Sequence, residues 1–179
     1  MKEKTFLPEL SRPLSIDKIS ANGVEETILA KDAERKALCK RFGLLDLPTL
    51  DAKLTVHPPR VDGSINVTGH LKADVIQPCV VTLEPLANHV EHEIDVFFVS
   101  SENLMGAGPA DITDEEVETI QNGVIDLGEL VAQNLGIALD PYPRKPGISY
   151  VEAEYGDLKG PSNPFAQLAE LAKKPKDSE

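Results

Sequence analysis

Four histidines, His57, His70, His89 and His92, fall within 36 residues of one another, and Cys79 lies among them. Imidazole and thiolate are the usual ligands of a zinc centre, which needs three or four of them converging on one point. The surrounding pattern opposes convergence. Apolar residues hold the odd positions from Ile65 to Val75, so His70 points away from the core, and His89 and His92, three apart on one strand, face opposite sides. The histidines therefore read as exposed strand residues, with no metal ligand and no cofactor assigned. Nucleophilic chemistry has no better footing, because the chain contains no G-x-S-x-G, no H-E-x-x-H and no glycine-rich phosphate loop. Paired carboxylates such as Glu115 and Glu116 would serve as acid and base only if burial shifted one of them. Cys79 precedes two valines at an apolar strand end, the setting of an inert buried thiol. Cys39 and Cys79, 40 positions apart, read as free thiols and not as a disulfide. No catalytic residue is assigned, and the chain reads as a non-enzyme.

The distribution of charge is more informative. Of 179 residues, 18 are Lys or Arg and 30 are Asp or Glu, a formal charge of −12. Between Ala73 and Pro143 there is no Lys or Arg but 14 acids, which leaves +2 for the rest of the chain. A field this lopsided attracts basic partners and repels phosphate backbones. Asp114, Glu115, Glu116 and Glu118 form its densest run and are the candidate contacts for a basic partner. Opposite them stands a cationic cluster, Lys31, Arg35, Lys36, Lys40 and Arg41, which would be the surface to face RNA.

The elements that must carry these groups follow from periodicity. Leu14 and Ile16 alternate in a short stretch that could join a sheet as a strand. Ala33, Ala37, Leu38 and Phe42 recur at helical steps and end at Gly43, which predicts an amphipathic helix over 30–42 with a basic outer face. After Pro48 the period becomes two: Leu50, Ala52, Leu54 and Val56 make a strand that stops at Pro58-Pro59. Asp62-Gly63 is a turn dipeptide, and the strand beyond it runs from Ile65 to Val75. Another turn at Glu84-Pro85 leads to Val90, Ile94, Val96 and Phe98. Three strands with short links predict an antiparallel meander. The Gly- and Pro-containing acidic stretch 100–123 reads as a flexible loop with an irregular or strand-like return. Asp126 and Glu129 have capping-box spacing, followed by a stripe of Leu127, Leu130, Val131, Leu135, Ala138 and Leu139 that ends at Pro141. Residues 143–161 read as a loop or linker. Asn163-Pro164 then caps a short C-terminal helix, and 173–179 form a disordered tail. With only eight aromatic residues and no Trp, the core must be aliphatic. The fold class expected is α+β in a single domain over 1–179: an antiparallel sheet of four to six strands, possibly curled toward a barrel, with three helices. No stretch approaches the ~20 apolar residues of a membrane span, and Met1–Phe6 lacks the apolar run of a secretory signal, so the chain reads as cytoplasmic.

Four short motifs remain: Pro78-Cys79-Val80-Val81-Thr82-Leu83-Glu84-Pro85, Ile125-Asp126-Leu127-Gly128-Glu129-Leu130, Leu139-Asp140-Pro141-Tyr142-Pro143 and Asn163-Pro164-Phe165-Ala166-Gln167-Leu168. In this order and spacing they resemble the YceD family, bacterial proteins named for accumulation of large-subunit ribosomal RNA. The resemblance covers the last two-thirds of the chain, and the first motif resembles that of alphaproteobacterial members. The family often carries C-x-x-C there; in this chain Cys79 matches the first cysteine and Thr82 stands at the second, so the shared content is the turn and its packing. The resemblance implies a non-enzymatic factor for ribosome biogenesis. Combined with the acidic half, it implies a basic ribosomal protein or a pre-large-subunit particle as partner, with bL32 a candidate because the two genes often adjoin. The alternatives are a protein-binding adaptor without a ribosomal client, whose partner would be neutral or acidic, and a metal-dependent enzyme that processes ribosomal RNA.

Overall fold

A computed structural model describes residues 8–100 and 117–147. Contacts divide the chain into two units, Met1–Lys145 and Pro146–Glu179, and the division falls inside the stretch read as a linker. The C-terminal helix expected after Asn163-Pro164, the tail 173–179 and most of the acidic loop lie outside the described residues.

The first unit is α+β. Its main sheet has five strands in the order β2-β3-β4-β5-β6, formed by Val24–Leu29, Asp46–Val56, Ile65–Pro78, Pro85–Ser100 and Val117–Ile120. Strands β2 to β5 pair antiparallel, as the alternation requires. The sheet departs from expectation at both margins. Strand β6 runs parallel to β5, with Phe97 opposite Val117 and Ser100 opposite Ile120. No pairing joins β2 to β6 among the described residues, so the sheet is open and does not close into a barrel. A second, two-stranded sheet pairs β1 (Pro13–Ser15) with β7 (Val124–Asp126). The alternating stretch around Leu14 is therefore a strand, but its partner lies more than a hundred residues away.

Strand β3 starts earlier than expected and contains Pro48. Proline has no N–H to donate to a ladder, and it is tolerated here because the register slips between Asp46 and Thr49, at an irregularity where no ladder bond is needed. Helix α1, Asp32–Phe42, ends at Gly43, whose φ of 67° suits a residue without Cβ. Only Leu38 is buried in it and Ala33 is exposed, so the buried stripe is narrower than its apolar spacing suggested. Helix α2, Leu127–Ala138, buries most of one face.

The core lies between the inner face of the sheet and the two helices with β1 and β7. Leu50, Leu54, Leu71, Val75, Ile94, Val96 and Phe98 of the strands meet Leu38, Leu127, Leu130 and Leu135. Each such side chain contributes about 1.5–3 kcal/mol on burial. Among the described residues no helix packs on the other face of the sheet, which is polar. Among the described residues no helix is long and apolar enough to cross a membrane.

Candidate functional site

The motif residues gather into two docked assemblies. In the first, the turn between β4 and β5 is closed by the Cys79 N–H donating to the Glu84 carbonyl at 2.8 Å and the Leu83 N–H donating to the Cys79 carbonyl at 2.8 Å. Leu83 takes a φ of 60°, a conformation that costs a β-carbon residue about 1 kcal/mol or more. The segment after α2 packs onto this turn. The Gln77 side-chain amide donates to the Asp140 carbonyl at 2.9 Å, the Val80 N–H donates to the buried Pro143 carbonyl at 2.9 Å, and Lys145 Nζ reaches Glu84 at 2.8 Å. Asp140 also caps its own turn by accepting from the Tyr142 N–H at 2.8 Å. The Cys79-to-Pro85 and Asp140-Pro141 motifs, some 60 residues apart in sequence, are thus two halves of one structure.

Cys79 is fully buried at its centre. The Thr82 hydroxyl and the N–H groups of Thr82, Lys145 and Val81 hydrogen-bond its sulfur and hold the thiol down to about 7. Thr82, at the place of a second cysteine, brings a hydroxyl to the Cys79 thiol and to the Glu84 carboxylate, 3.3 Å away. Both cysteines are free thiols.

The second assembly is centred on Asp126, the N-cap of α2. One carboxylate oxygen accepts from the N–H groups of Gly128 at 3.0 Å, Glu129 at 3.2 Å and Arg12 at 2.7 Å, and the other accepts from the Ser11 hydroxyl at 2.6 Å. The Leu127 N–H donates to the Arg12 carbonyl at 3.1 Å. A Cβ on Gly128 would stand 2.7 Å from the Leu10 carbonyl oxygen, so only glycine admits the N-terminal segment this close. Residues 9–12 form a strap across the start of α2. Glu129 does not turn back to complete the capping box that its spacing suggested. It takes Arg41 of α1 through two bonds, of 2.8 and 2.9 Å, and Arg41 also holds Glu9 at 3.0 Å. Those carboxylates raise the Arg41 guanidinium above its ordinary value. Arg12 makes a fork with Glu34 of α1 at 2.8 and 3.0 Å.

The cations of α1 are therefore largely committed within the molecule. Arg41 binds Glu129 and Glu9, while Arg35 and Lys36 meet Asp32 at 3.6 and 2.7 Å. Lys31 and Lys40 are exposed. Of the acidic run, Asp114, Glu115 and Glu116 lie outside the described residues, as do Asn163, Pro164 and Phe165. Glu118 sits on β6 opposite Phe98.

The outer face of the sheet carries six of the described acids. Register places Glu25, Thr55, Thr68 and Asp95 in one row, Thr27, Lys53, His70 and Glu93 in the next, and Leu29, Asp51, Lys72 and Glu91 in a third. Beyond them Asp74 lies beside His89 at 2.8 Å and accepts from the Thr49 hydroxyl at 2.8 Å. The His89 contact, then that of Thr49, holds the Asp74 carboxyl below the usual range, and Lys72 does the same for Glu91. His89 is raised in turn, chiefly by Asp74. The face bears Glu25, Asp51, Asp74, Glu91, Glu93 and Asp95 against Lys53 and Lys72, and part of it forms a hollow of about 560 Å³. His57, His70 and His89 are exposed and bind different neighbours, with Thr68, Glu93 and Asp74 respectively, while His92 is on the inner-face register beside Leu71. No metal-holding group of three His, Cys, Asp or Glu occurs among the described residues.

Residues Ser11, Arg12 and Glu34 were not singled out from sequence. Ser11 and Arg12 meet Asp126 and Glu34 across 115 and 22 positions, which no local pattern marks, whereas Glu34 also accepts from the Lys31 N–H at 2.7 Å at the start of α1.

No curated protein and no solved structure matches the chain. A family model described as "Large ribosomal RNA subunit accumulation protein YceD" matches residues 67–172. That match begins in β4, takes in both the Cys79 turn and the Asp126 cap, and extends over more than half of the sequence: the chain belongs to the YceD family.

Proposed function

We propose that this chain is a non-enzymatic factor in the accumulation of large-subunit ribosomal RNA and that it works by holding a basic ribosomal protein, for which bL32 is a candidate. The observation that carries the reading is the polar sheet face, on which carboxylates outnumber cations and on which no helix packs among the described residues. Such a face repels the RNA backbone and attracts the Lys- and Arg-rich segments of proteins that bind it. A factor that screens those segments keeps the ribosomal protein from premature contacts until it meets its RNA. The α1 cations serve in this reading as internal ties to Glu129, Glu9 and Asp32, with Lys31 and Lys40 left for contact with the particle. His57, His70 and His89, each with its own neighbours, serve in this reading as surface residues, and His92 as a half-buried one, and none as a ligand or base.

Titration calorimetry of the full chain with purified bL32 tests this. Binding is expected at about 50 mM salt and is expected to weaken by about tenfold or more at 500 mM, where the screening length falls toward a few ångströms. The triple variant Glu25→Lys, Glu93→Lys, Asp95→Lys is expected to weaken it similarly while circular dichroism stays unchanged. Binding that ignores both salt and charge reversal refutes the electrostatic reading and favours an adaptor.

A further inference from the structure

The β2 margin of the main sheet offers backbone as well as charge. The Ala30 N–H donates to the Leu50 carbonyl at 3.0 Å, which fixes the phase of the β2–β3 ladder. Hydrogen-bonded pairs alternate along an antiparallel ladder, so Val24, Glu26 and Ile28 turn their N–H and C=O groups to β3, and Glu25, Thr27 and Leu29 turn theirs outward. The Arg12 guanidinium reaches the Leu29 carbonyl at 3.4 Å from that open side. Among the described residues, the outward N–H and C=O groups of Glu25 and Thr27 meet no partner. Beside them lies a cleft of about 250 Å³ between β2 and β1, with Leu14, Ile28 and Leu127 as its apolar wall and Arg12 and Glu26 among its lining.

We infer that this edge is a strand-addition site, and that its occupant is an extended segment of a basic protein with Lys or Arg at alternate positions. The occupant's chemistry follows from the two sides of the edge. Residues opposite Glu25 and Thr27 would lie on the outer face, in the rows that hold Asp95 and Glu93, where cations are favoured. The residues between them would turn inward to the cleft, where short aliphatic side chains fit against Leu14 and Ile28. A second copy of this chain is the poorer occupant, because pairing β2 antiparallel with β2 about its exposed amides sets either Glu25 against Glu25 or Glu26 against Glu26. Main-chain bonds would give affinity and the alternating side chains selectivity. The inference rests on the proposed function, since it specifies how the acidic face takes its basic partner.

The test uses the full chain and a blocked peptide of four Val-Lys repeats, with a twin N-methylated on the lysine amides that would meet Glu25 and Thr27. The parent peptide is expected to bind and to slow hydrogen exchange at the Glu25 and Thr27 amides, and the twin to bind about tenfold more weakly or less, since it keeps the charge but loses the bonds. Thr27→Pro removes an N–H that β3 does not use and is expected to weaken the parent peptide by a similar factor. Should the twin bind as well as the parent, with no amide protected, strand addition is overturned while the charge reading stands. Failure of both peptides to bind at low salt overturns the two together. Protection of the same amides in a self-dimer, seen without peptide by analytical ultracentrifugation, assigns the edge to a second copy and overturns the inference.

Discussion

Replacing Asp126 tests the account of the second motif most directly. Asp126→Ala removes the acceptor of two helix N-terminal N–H groups, worth about 1 kcal/mol as a cap. It also removes the Ser11 and Arg12 bonds, each worth about 1 kcal/mol net. The expected loss is about 3 kcal/mol. For a domain of this size that is a fall in Tm of about 6–12 °C, and at an m-value of about 2 kcal/mol/M a fall of about 1.5 M in the urea midpoint. Asp126→Asn keeps an oxygen for the three N–H groups and its amide donates to Ser11 Oγ, so its loss is expected near 1 kcal/mol. Because Ser11 and Asp126 touch, a double-mutant cycle with Ser11→Ala is expected to return a coupling of about 1 kcal/mol. A loss under about 1 kcal/mol for Asp126→Ala, or full additivity with Ser11→Ala, refutes the claim that this carboxylate fastens the strap to the helix.

Three further outcomes follow from the geometry. Gly128→Ala should destabilise by about 1–3 kcal/mol in urea melts, although alanine favours helix, because its Cβ would meet the Leu10 and Arg12 backbone at 2.7 to 2.9 Å. Thr82→Val should raise the Cys79 thiol from about 7 toward 9, read as a later rise of thiolate absorbance in a pH titration. The depressed folded value means that the Cys79 contribution to stability is present in full above about pH 9 and lost as pH falls through 7, so wild-type melts should gain stability over that window and the variant should gain less. Arg41→Ala leaves Glu129 and Glu9 without their shared cation and should cost about 1–2 kcal/mol, with Arg41→Lys recovering only part because a point charge cannot span the two Glu129 oxygens.

The three central strands were legible because one face is buried and the other wet, so that Val67, Leu71, Ala73 and Val75 alternate cleanly with outward Thr68, His70, Lys72 and Asp74. Helix α2 was legible for the equivalent reason at its own period. What local pattern could not supply was pairing at a distance. Leu14 belongs opposite Ile125, but three residues of β1 contain no trace of that partner. Pro48 read as a boundary because the irregularity that accommodates it exists only in the pairing with β4. The side chain of Glu129 had a local use available and took a remote one, since Arg41 offers two charge-assisted bonds where the cap offers one. The Cys79 turn and the Asp140-Pro141 segment were each visible as motifs, but their docking through Val80, Gln77 and Glu84 was not.

The strap across α2 also sets an order of events during synthesis. Ser11 and Asp126 are 115 positions apart, and at translation rates of about 5–20 residues per second the strap waits about 6–23 s for its anchor to be made. By the last part of that time β2, β3, β4 and β5 have all been made and can pair with one another, while Leu10 and Leu14 still have no α2 to bury them. The strap is thus translated well before its anchor and closes only after β2 to β5 have been made, and nascent chains stalled before residue 126 should leave Arg12 open to trypsin.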